Sequence, residues 1–244
     1  MTPKRQVLEV WGELACFSQP PLKVERFSYP IITPSAARGI FDAIYWKPKF
    51  FWQVTHIELL SLPTYIALRR NEVKNKFPSE DSILRWMMGW EDPEPIWADG
   101  DEEITGSKEK GRTQRQTMAL KNVHYRLHAE IRPWPEYITA LPDMEGQFRR
   151  RAAHGQCVNQ PYFGCREFPA YFQLAESSMQ SPAVPLDMHL GWMLYDVYDL
   201  SKPGQNTDDS FISLFNARVE KGVLRVPEFA SVEVRKPIRS SKNA

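Results

Sequence analysis

The longest regular pattern in the chain is an alternation of apolar and polar residues that ends at Ile131. A period of two is typical of a strand with one face toward the core and one polar face. The pattern predicts a strand over residues 116–131 in a sheet that is covered on one side. The apolar positions are Val123, Tyr125, Leu127, Ala129 and Ile131, and the polar positions are Asn122, His124, Arg126, His128 and Glu130.

Helices and strands are predicted on both sides of this strand. Thr33 and Pro34 are typical of a helix start, and Pro48 disfavours helical backbone in the residue before it. The order of elements is strand, helix, strand, insertion, strand, helix, strand, which is the split β-α-β arrangement of a ferredoxin-like or RNA-recognition-motif domain. The other predicted elements are a strand at 7–17, a helix that ends near 45–47, a strand at 50–60, a helix at 141–154 and a strand at 162–174.

Two segments depart from this order. Residues from about 62 to 111 are rich in proline, charge and tryptophan, and predict a long insertion that is functional or mobile. The Ser- and Pro-rich stretch 177–182 predicts a boundary between a domain at 1–180 and a second domain at 181–244. In the second domain, residues 190–200 and 211–226 alternate like strands around a hairpin turn at Glu220-Lys221-Gly222, which predicts a small antiparallel β-sheet and a basic tail.

The charges are segregated along the chain. The totals, 31 Lys+Arg against 30 Asp+Glu, argue against a polyanion partner, and charge runs are most often solvated surface. However, residues 91–103 contain seven acidic residues and no cation, whereas residues 108–126 hold six cations and one acid. Further basic runs lie at 149–151 and in the C-terminal segment, at Arg235, Lys236, Arg239 and Lys242. Several basic runs in one chain predict a local anionic site.

The sequence also predicts a cytoplasmic location. Its apolar runs fall short of the roughly 20 residues needed to cross a bilayer, and its first residues lack the apolar stretch of a signal peptide. The three cysteines, Cys16, Cys157 and Cys165, have no metal-ligand spacing and fit a reducing compartment.

The residue types that could carry chemistry are few. No Gly-rich phosphate loop, Cys/His metal quartet or nucleophile elbow is present, so no cofactor and no metal are expected. Cleavage of RNA without a metal requires a base, an acid and cations for the charge on phosphate. The candidates are Tyr45, Lys121, His124, His128, His154, Arg126 and the run Arg149, Arg150 and Arg151.

Each candidate also has a structural interpretation. Tyr45 at a helix end could be an amphipathic packing residue. The polar strand face with His124 and His128 could be merely solvated. His154 and the arginine run could stabilise the end of a helix through its dipole.

Three blocks resemble one known family over nearly the whole chain. They are GIFDAIYWKP at 39–48, LKNVHY at 120–125, and RRAAHGQC at 150–157 followed by PYFGCREF at 161–168. The chain resembles the fifth CRISPR-associated protein family in its type I-C form, also called the Dvulg subtype. This resemblance implies a ferredoxin-like N-terminal domain, a small C-terminal sheet and a metal-independent endoribonuclease. Such an enzyme cleaves CRISPR precursor RNA at the base of the repeat hairpin and stays on the guide's 5′ handle with the other subunits of Cascade.

The resemblance assigns one residue directly, because Tyr45 matches the family's catalytic tyrosine. The family's Lys-His pair before the arginine motif has no counterpart in residues 142–147, so His124, His128 or His154 would transfer the proton. The predicted catalytic set is Tyr45, Lys121, His124 and His154. The predicted RNA-binding residues are Lys47, Arg112, Arg115, Arg126, His128, Arg149, Arg150 and Arg151.

Attack by the internal 2′-oxygen would leave a 2′,3′-cyclic phosphate and a 5′-hydroxyl. An alternative hypothesis is a structural subunit that caps the 5′ handle of the guide without cutting it. A third hypothesis is sequence-indifferent binding to duplex DNA through the basic surfaces.

Overall fold

The computed structural model describes residues 2–22, 25–93, 95–97, 100–108, 110–175, 181–203 and 211–237. The strands are β1 (Gln6–Ala15), β2 (Arg26–Phe27), β3 (Phe50–Leu59), β4 (Tyr65–Val73), β5 (Arg112–Pro133), β6 (Tyr171–Leu174), β7 (Met188–Asp196), β8 (Ser213–Glu220) and β9 (Val223–Arg225). The helices are α1 (Pro34–Ile44), α2 (Glu80–Met87), α3 (Glu102–Thr105), a 3₁₀ helix at Pro135–Ala140 and α4 (Leu141–Ala153).

One large antiparallel sheet dominates the fold. Its strand order is β6-β1-β5-β3-β9-β8-β7, and β2 and β4 also pair with β5. The neighbouring strands β1, β5, β3 and β9 run antiparallel, as do β6 with β1 and β7 with β8. A mixed α/β fold built on an antiparallel sheet is therefore confirmed.

Helix α1 begins and ends where the sequence predicts. The Thr33 Oγ1 accepts a hydrogen bond from the Ala36 N–H at 3.2 Å, and Pro34 occupies the first turn. At the other end Tyr45 has extended backbone, with φ −153° and ψ 116°. The last helical residue, Ile44, lies four positions before Pro48, whose ring disfavours helical backbone in the preceding turn.

The core lies between the sheet and the two long helices. The ring centre of Trp52 on β3 lies 4.8 Å from that of Phe41 on α1 and 4.7 Å from that of Phe148 on α4. Trp52 pairs with Ile131 in the sheet register, so the face of β5 that carries Ile131 faces the helices. All five predicted apolar positions of β5 are buried, which confirms the alternation: Val123, Tyr125, Leu127, Ala129 and Ile131.

The chain divides into two compact units, Met1–Ile66 with Met118–Ala244, and Ala67–Thr117. The second unit overlaps the predicted insertion and contains two short helices that the sequence analysis did not predict. Ser79 caps α2 and Asp101 caps α3, each through a side-chain oxygen that accepts a backbone N–H. The two helices have only eight and four residues, and neither contains a buried residue. Segments this short lie below the window of about 11 residues over which a helical period can be recognised in a sequence.

The C-terminal strands continue the main sheet, because Leu224 of β9 pairs with Ile57 of β3. The predicted hairpin turn is confirmed at Lys221 and Gly222, whose φ angles are 50° and 77°. A Cβ at Gly222 would lie 2.1 Å from the carbonyl oxygen of Val184, so a side chain there would clash. The boundary near residue 181 stays a prediction about folding units, but the sheet runs across it. Residues 177–180 and the tail cations Arg239 and Lys242 lie outside the described residues.

The strand predicted at 162–174 is much shorter in the structure. Only Tyr171–Leu174 forms β6, and Tyr162 makes an isolated bridge with Pro169. Residues 163–168 form a turn, in which the Phe163 N–H donates to the Phe168 carbonyl at 2.8 Å and the Phe168 N–H donates to the Cys165 carbonyl at 2.9 Å. The chain therefore reverses before regular pairing with β1 begins. In the part of the chain that the structure describes, no helix has the length and hydropathy of a membrane span.

Candidate active site

The C-terminal ends of α1 and α4 meet at one side of the sheet. The Arg151 Nη1 donates a hydrogen bond to the carbonyl oxygen of Ile44, the last residue of α1, at 3.2 Å. The chain after α4 then returns to α1, where the Val158 N–H donates to the Ala43 carbonyl at 2.7 Å. These bonds satisfy carbonyls that a helix end leaves without intrahelical partners. They also fix the position of Tyr45, the next residue of the chain.

Tyr45 is held tightly between the helix end and the sheet. Its ring stacks on Phe50 with centres 5.4 Å apart, and its carbonyl accepts a hydrogen bond from Trp52 Nε1 at 2.9 Å. The residue is 7% exposed. Burial raises the pKa of Tyr45, Asp143 adds to this, and the guanidinium of Arg151, 6.0 Å from the ring centre, opposes it. The phenol therefore carries its proton at neutral pH and can donate it.

His154 lies at the same end of α4 and is exposed. Its Nδ1 lies 2.8 Å from the carbonyl oxygen of Arg150, which can only accept a hydrogen bond. In the neutral imidazole, Nδ1 is therefore the protonated nitrogen and Nε2 is free to take a proton. Three further predicted cations are exposed around these helix ends: Lys47, Arg149 and Arg150. Of the predicted site residues, the structure thus brings Arg151 over the Tyr45 ring and places His154 at the same end of α4 as Arg151.

Other predicted residues lie far along β5. Phe50, on which Tyr45 stacks, pairs with Pro133 at the C-terminal end of β5. Lys121 and His124 precede Pro133 by twelve and nine residues, which at about 3.3 Å per residue corresponds to roughly 40 and 30 Å along the strand. The structure therefore does not bring Lys121 or His124 to Tyr45. Their catalytic role stays a prediction, and the long distance to Tyr45 argues against it.

Arg126 and His128 lie on the face of β5 opposite the helices, in a hydrogen-bonded group around Glu58. Glu58 of β3 holds both, with its Oε2 2.6 Å from Arg126 Nη1 and its Oε1 2.8 Å from His128 Nε2. Arg126 also donates to the Ser181 carbonyl at 3.0 Å, and only 2% of the residue is exposed. The alternative of a merely solvated face does not hold at these two positions, because Arg126 and His128 are both buried beside Glu58. RNA binding by Arg126 and His128 stays a prediction, and the burial of both side chains argues against it.

The same face contains the donor set that comes nearest to a metal site among the described residues. His56, Glu58 and His128 each offer a ligand atom, and these atoms lie within 4.8 Å of one another. However, the two imidazoles are stacked 3.7 Å apart with 19° between their planes, so their lone pairs run parallel instead of converging. Arg126 already occupies the other oxygen of Glu58. The arrangement fits an ion-paired network better than a metal centre.

The remaining predicted cations belong to the second unit. Arg112 is exposed at the start of β5, and Arg115 Nε lies 3.3 Å from Glu72 Oε2. Both arginines carry a charge that suits an RNA phosphate. Their RNA-binding roles stay predictions.

The sequence analysis missed two features beside Tyr45. Asp143 influences its phenol from α4, and no local motif marks that residue. A groove of about 880 Å³ runs along α1 and includes Trp46, Asp42 and Arg166 in its wall. An exposed Trp46 directly after the predicted tyrosine is the signal that could have indicated a binding groove.

Comparison with known proteins adds independent information. The family model Cas_Cas5d, described as CRISPR-associated protein (Cas_Cas5), matches residues 7–227. A CRISPR pre-crRNA endoribonuclease Cas5d of Thermus thermophilus is 37% identical over 235 residues, which cover 91% of this chain and 91% of the relative. A protein of the same description from Mannheimia succiniciproducens is 36% identical over 239 residues, covering 94% and 97%. A solved structure described as a CRISPR-associated protein superposes with a TM-score of 0.61 at 17% identity, covering 96% of this chain and 98% of the other, and shows a shared fold.

Proposed function

Because the chain belongs to the Cas5d family of CRISPR-associated proteins, we propose that it is an endoribonuclease that cleaves CRISPR precursor RNA. The two relatives described as pre-crRNA endoribonucleases match it over nearly their whole length, which supports this substrate class. The observation that carries the proposal is the junction of α1 and α4, where Arg151 contacts the end of α1 and lies over the Tyr45 ring.

The proposed reaction is an internal transesterification that needs no metal. The 2′-oxygen attacks the adjacent phosphorus, the bond from phosphorus to the 5′-oxygen breaks, and the products are a 2′,3′-cyclic phosphate and a 5′-hydroxyl. His154 Nε2 accepts the 2′-hydroxyl proton, and the Tyr45 phenol donates a proton to the leaving 5′-oxygen. The guanidinium of Arg151 stabilises the charge that develops on the phosphate oxygens.

The residue environments support this division of roles. Tyr45, whose pKa is raised by burial, holds its proton and suits the acid. His154 is exposed, with Nδ1 committed to a backbone carbonyl, and suits the base. Arg151 has a fixed position because it bonds Ile44, so little reorganisation is needed when charge develops.

The strand order of the sheet supports a more specific fold assignment. We infer that β1, α1, β3, β5, α4 and β6 form a ferredoxin-like core. The sheet order β6-β1-β5-β3 supports this inference, because it places the first and third strands of the unit at the centre. The resemblance of the motif blocks further implies that the protein stays on the 5′ handle of the guide in Cascade.

A cleavage assay tests the proposed function. Purified full-length protein, at saturating concentration, is incubated with the CRISPR repeat hairpin RNA in EDTA. The expected result is one discrete fragment with a 2′,3′-cyclic phosphate end, by end-group analysis. A fragment with a 3′-hydroxyl end would contradict the chemistry, and intact RNA would contradict the endonuclease itself.

One observation favours a second candidate function. Residues 142–147 contain neither lysine nor histidine, whereas the family resemblance implies a Lys-His pair in that stretch. A subunit that caps the 5′ handle without cutting would need no such pair. Tight binding of the repeat RNA without cleavage in the same assay would support this alternative. Equal affinity for an unrelated DNA duplex, lost at high salt, would instead indicate duplex DNA binding.

A further inference from the structure

Three rings form a row across three adjacent strands on the sheet face opposite the helices. Trp11 of β1 pairs directly with Tyr171 of β6 on one side and with His124 of β5 on the other. The Trp11 and Tyr171 rings are stacked with centres 6.3 Å apart and 27° between their planes. The His124 ring meets Trp11 edge-on at 6.2 Å. We call these three residues the aromatic row.

The aromatic row is open to solvent. Trp11 is 37% exposed and Tyr171 is 54% exposed, although both have large apolar surfaces that folding usually covers. Cross-strand aromatic pairs stabilise a sheet modestly, and this alone would account for their pairing. It would not account for a third ring in the same row or for the concave surface around it.

A shallow cleft of about 650 Å³ surrounds the row. The cleft wall adds hydrogen-bonding side chains on both sides of the rings, namely Asn122 and Glu13 on one side and Gln173 and Glu9 on the other. His124 is fixed in this wall, because its Nε2 lies 2.8 Å from Glu9 Oε1.

We propose that the aromatic row binds unpaired bases of RNA. Exposed aromatic rings on an open sheet offer flat surfaces on which splayed bases stack, and a base stacks on such rings irrespective of its identity. The carboxylates of Glu9 and Glu13 repel phosphate but accept hydrogen bonds from base amino groups. The cleft therefore suits base edges turned toward the sheet and a backbone turned away from it. Paired bases in a duplex are already stacked, so the row selects a single strand.

This inference rests on the proposed function, because it assigns a second contact to the same RNA. It also gives His124 a role in RNA binding, which does not require His124 to lie near Tyr45. Bases flanking the repeat hairpin would lie on the row, whereas the scissile phosphate would lie at the helix ends on the other side of the sheet.

Binding of a short unstructured RNA tests the proposal, with fluorescence anisotropy of a dye-labelled strand as the readout. Trp11→Ala and Tyr171→Ala should each weaken binding by about fivefold or more, the scale of one lost base–aromatic stack. Trp11→Phe should restore most of the affinity. Trp192→Ala is the matched control, because Trp192 is also a half-exposed strand tryptophan and lies on β7, outside the aromatic row. Its affinity should equal that of the unchanged protein.

Equal affinities for Trp11→Ala and Trp192→Ala would overturn the proposal, as would an equal loss of affinity for an unrelated DNA duplex. If an alanine variant fails to fold, photocrosslinking of the unchanged protein to 5-bromouridine RNA decides the question. Crosslinks in the peptides that contain Trp11 or Tyr171 would support the row, and crosslinks confined to other peptides would exclude it. These readouts require no cleavage, so a failure of the proposed nuclease activity would be seen separately.

Discussion

The guanidinium carbon of Arg151 lies 6.0 Å from the centre of the Tyr45 ring, while one of its nitrogens bonds the carbonyl of Ile44. One side chain thus holds the ends of two helices together and places a positive charge beside the tyrosine. The contact of Arg151 with the Tyr45 ring and its hydrogen bond to the Ile44 carbonyl depend on the same Arg151 rotamer.

Tyr45→Phe should slow cleavage of the repeat RNA by about 100-fold or more, since loss of a general acid costs this much. The ring keeps its stacking on Phe50, so affinity and thermal stability should change little. Single-turnover rates at saturating protein measure the effect. Tyr137→Phe is the control and should cleave at the normal rate. A Tyr45→Phe rate equal to this control would remove Tyr45 from the active site.

Arg151→Ala should reduce the saturated cleavage rate more strongly than it reduces affinity, because it removes the cation beside Tyr45 and a contact between the helix ends. Arg149→Ala provides a matched comparison on the same helix, since Arg149 is exposed and a surface cation acts mainly through affinity. Both variants are measured in binding and single-turnover assays. Parallel losses of rate and affinity in the two variants would argue against a special position for Arg151.

His154→Gln should slow cleavage by about 100-fold or more, because glutamine keeps a donor toward the Arg150 carbonyl but cannot take up a proton. His189→Gln, at an exposed position of β7, is the control for loss of an imidazole. The ratio of the two saturated rates is the measurement. Should His154→Gln cleave as fast as His189→Gln, another group must be the base.

Glu58→Gln should destabilise the fold by about 3 kcal/mol, since it leaves the buried charge of Arg126 without its principal partner. Glu167→Gln removes the partner of Arg26 in an exposed pair and should cost less than about 1 kcal/mol. Urea denaturation at neutral pH gives both free energies of unfolding. Equal costs for the two variants would mean that Arg126 is solvated in solution.

The stability of the protein should fall in mild acid because of His128. Burial, the adjacent His56 and Arg5 lower the pKa of His128 to about 4, against the opposing effect of Glu58. Between an unfolded pKa near 6.5 and this folded value, the unfolded chain binds more protons. The stabilisation is therefore complete above about pH 6.5 and is lost as the pH falls toward 4, by roughly 3 kcal/mol.

Urea unfolding across this pH range measures that loss. His128→Gln keeps a donor toward Glu58 but does not titrate, so its free energy of unfolding should depend less steeply on pH. The carboxylates that titrate near pH 4 affect both proteins and cancel in the comparison. Identical slopes for the two proteins would show that His128 titrates normally in the folded state.

Local signals were sufficient for most of the regular elements. The alternation along β5 and the cap and prolines around α1 predicted those elements, because they express a side-chain period and backbone sterics within a few residues. The same reasoning missed α2 and α3, which are shorter than the window of about 11 residues over which a helical period can be recognised. It also overextended the strand before Tyr171, because residues 163–168 form a turn closed by hydrogen bonds between Phe163 and Phe168 and between Phe168 and Cys165.

The sequence by itself determined most strands of the main sheet, both long helices and the candidates Tyr45, His154 and Arg151, since each is marked by neighbours in the chain. Only the tertiary structure decided that Arg151 lies over the Tyr45 ring, that His124 lies far along β5 beside Trp11, and that Arg126 is buried against Glu58. These relationships join residues about 70 to 115 positions apart. They depend on strand register and on the side of the sheet that the helices cover, and no local pattern encodes either.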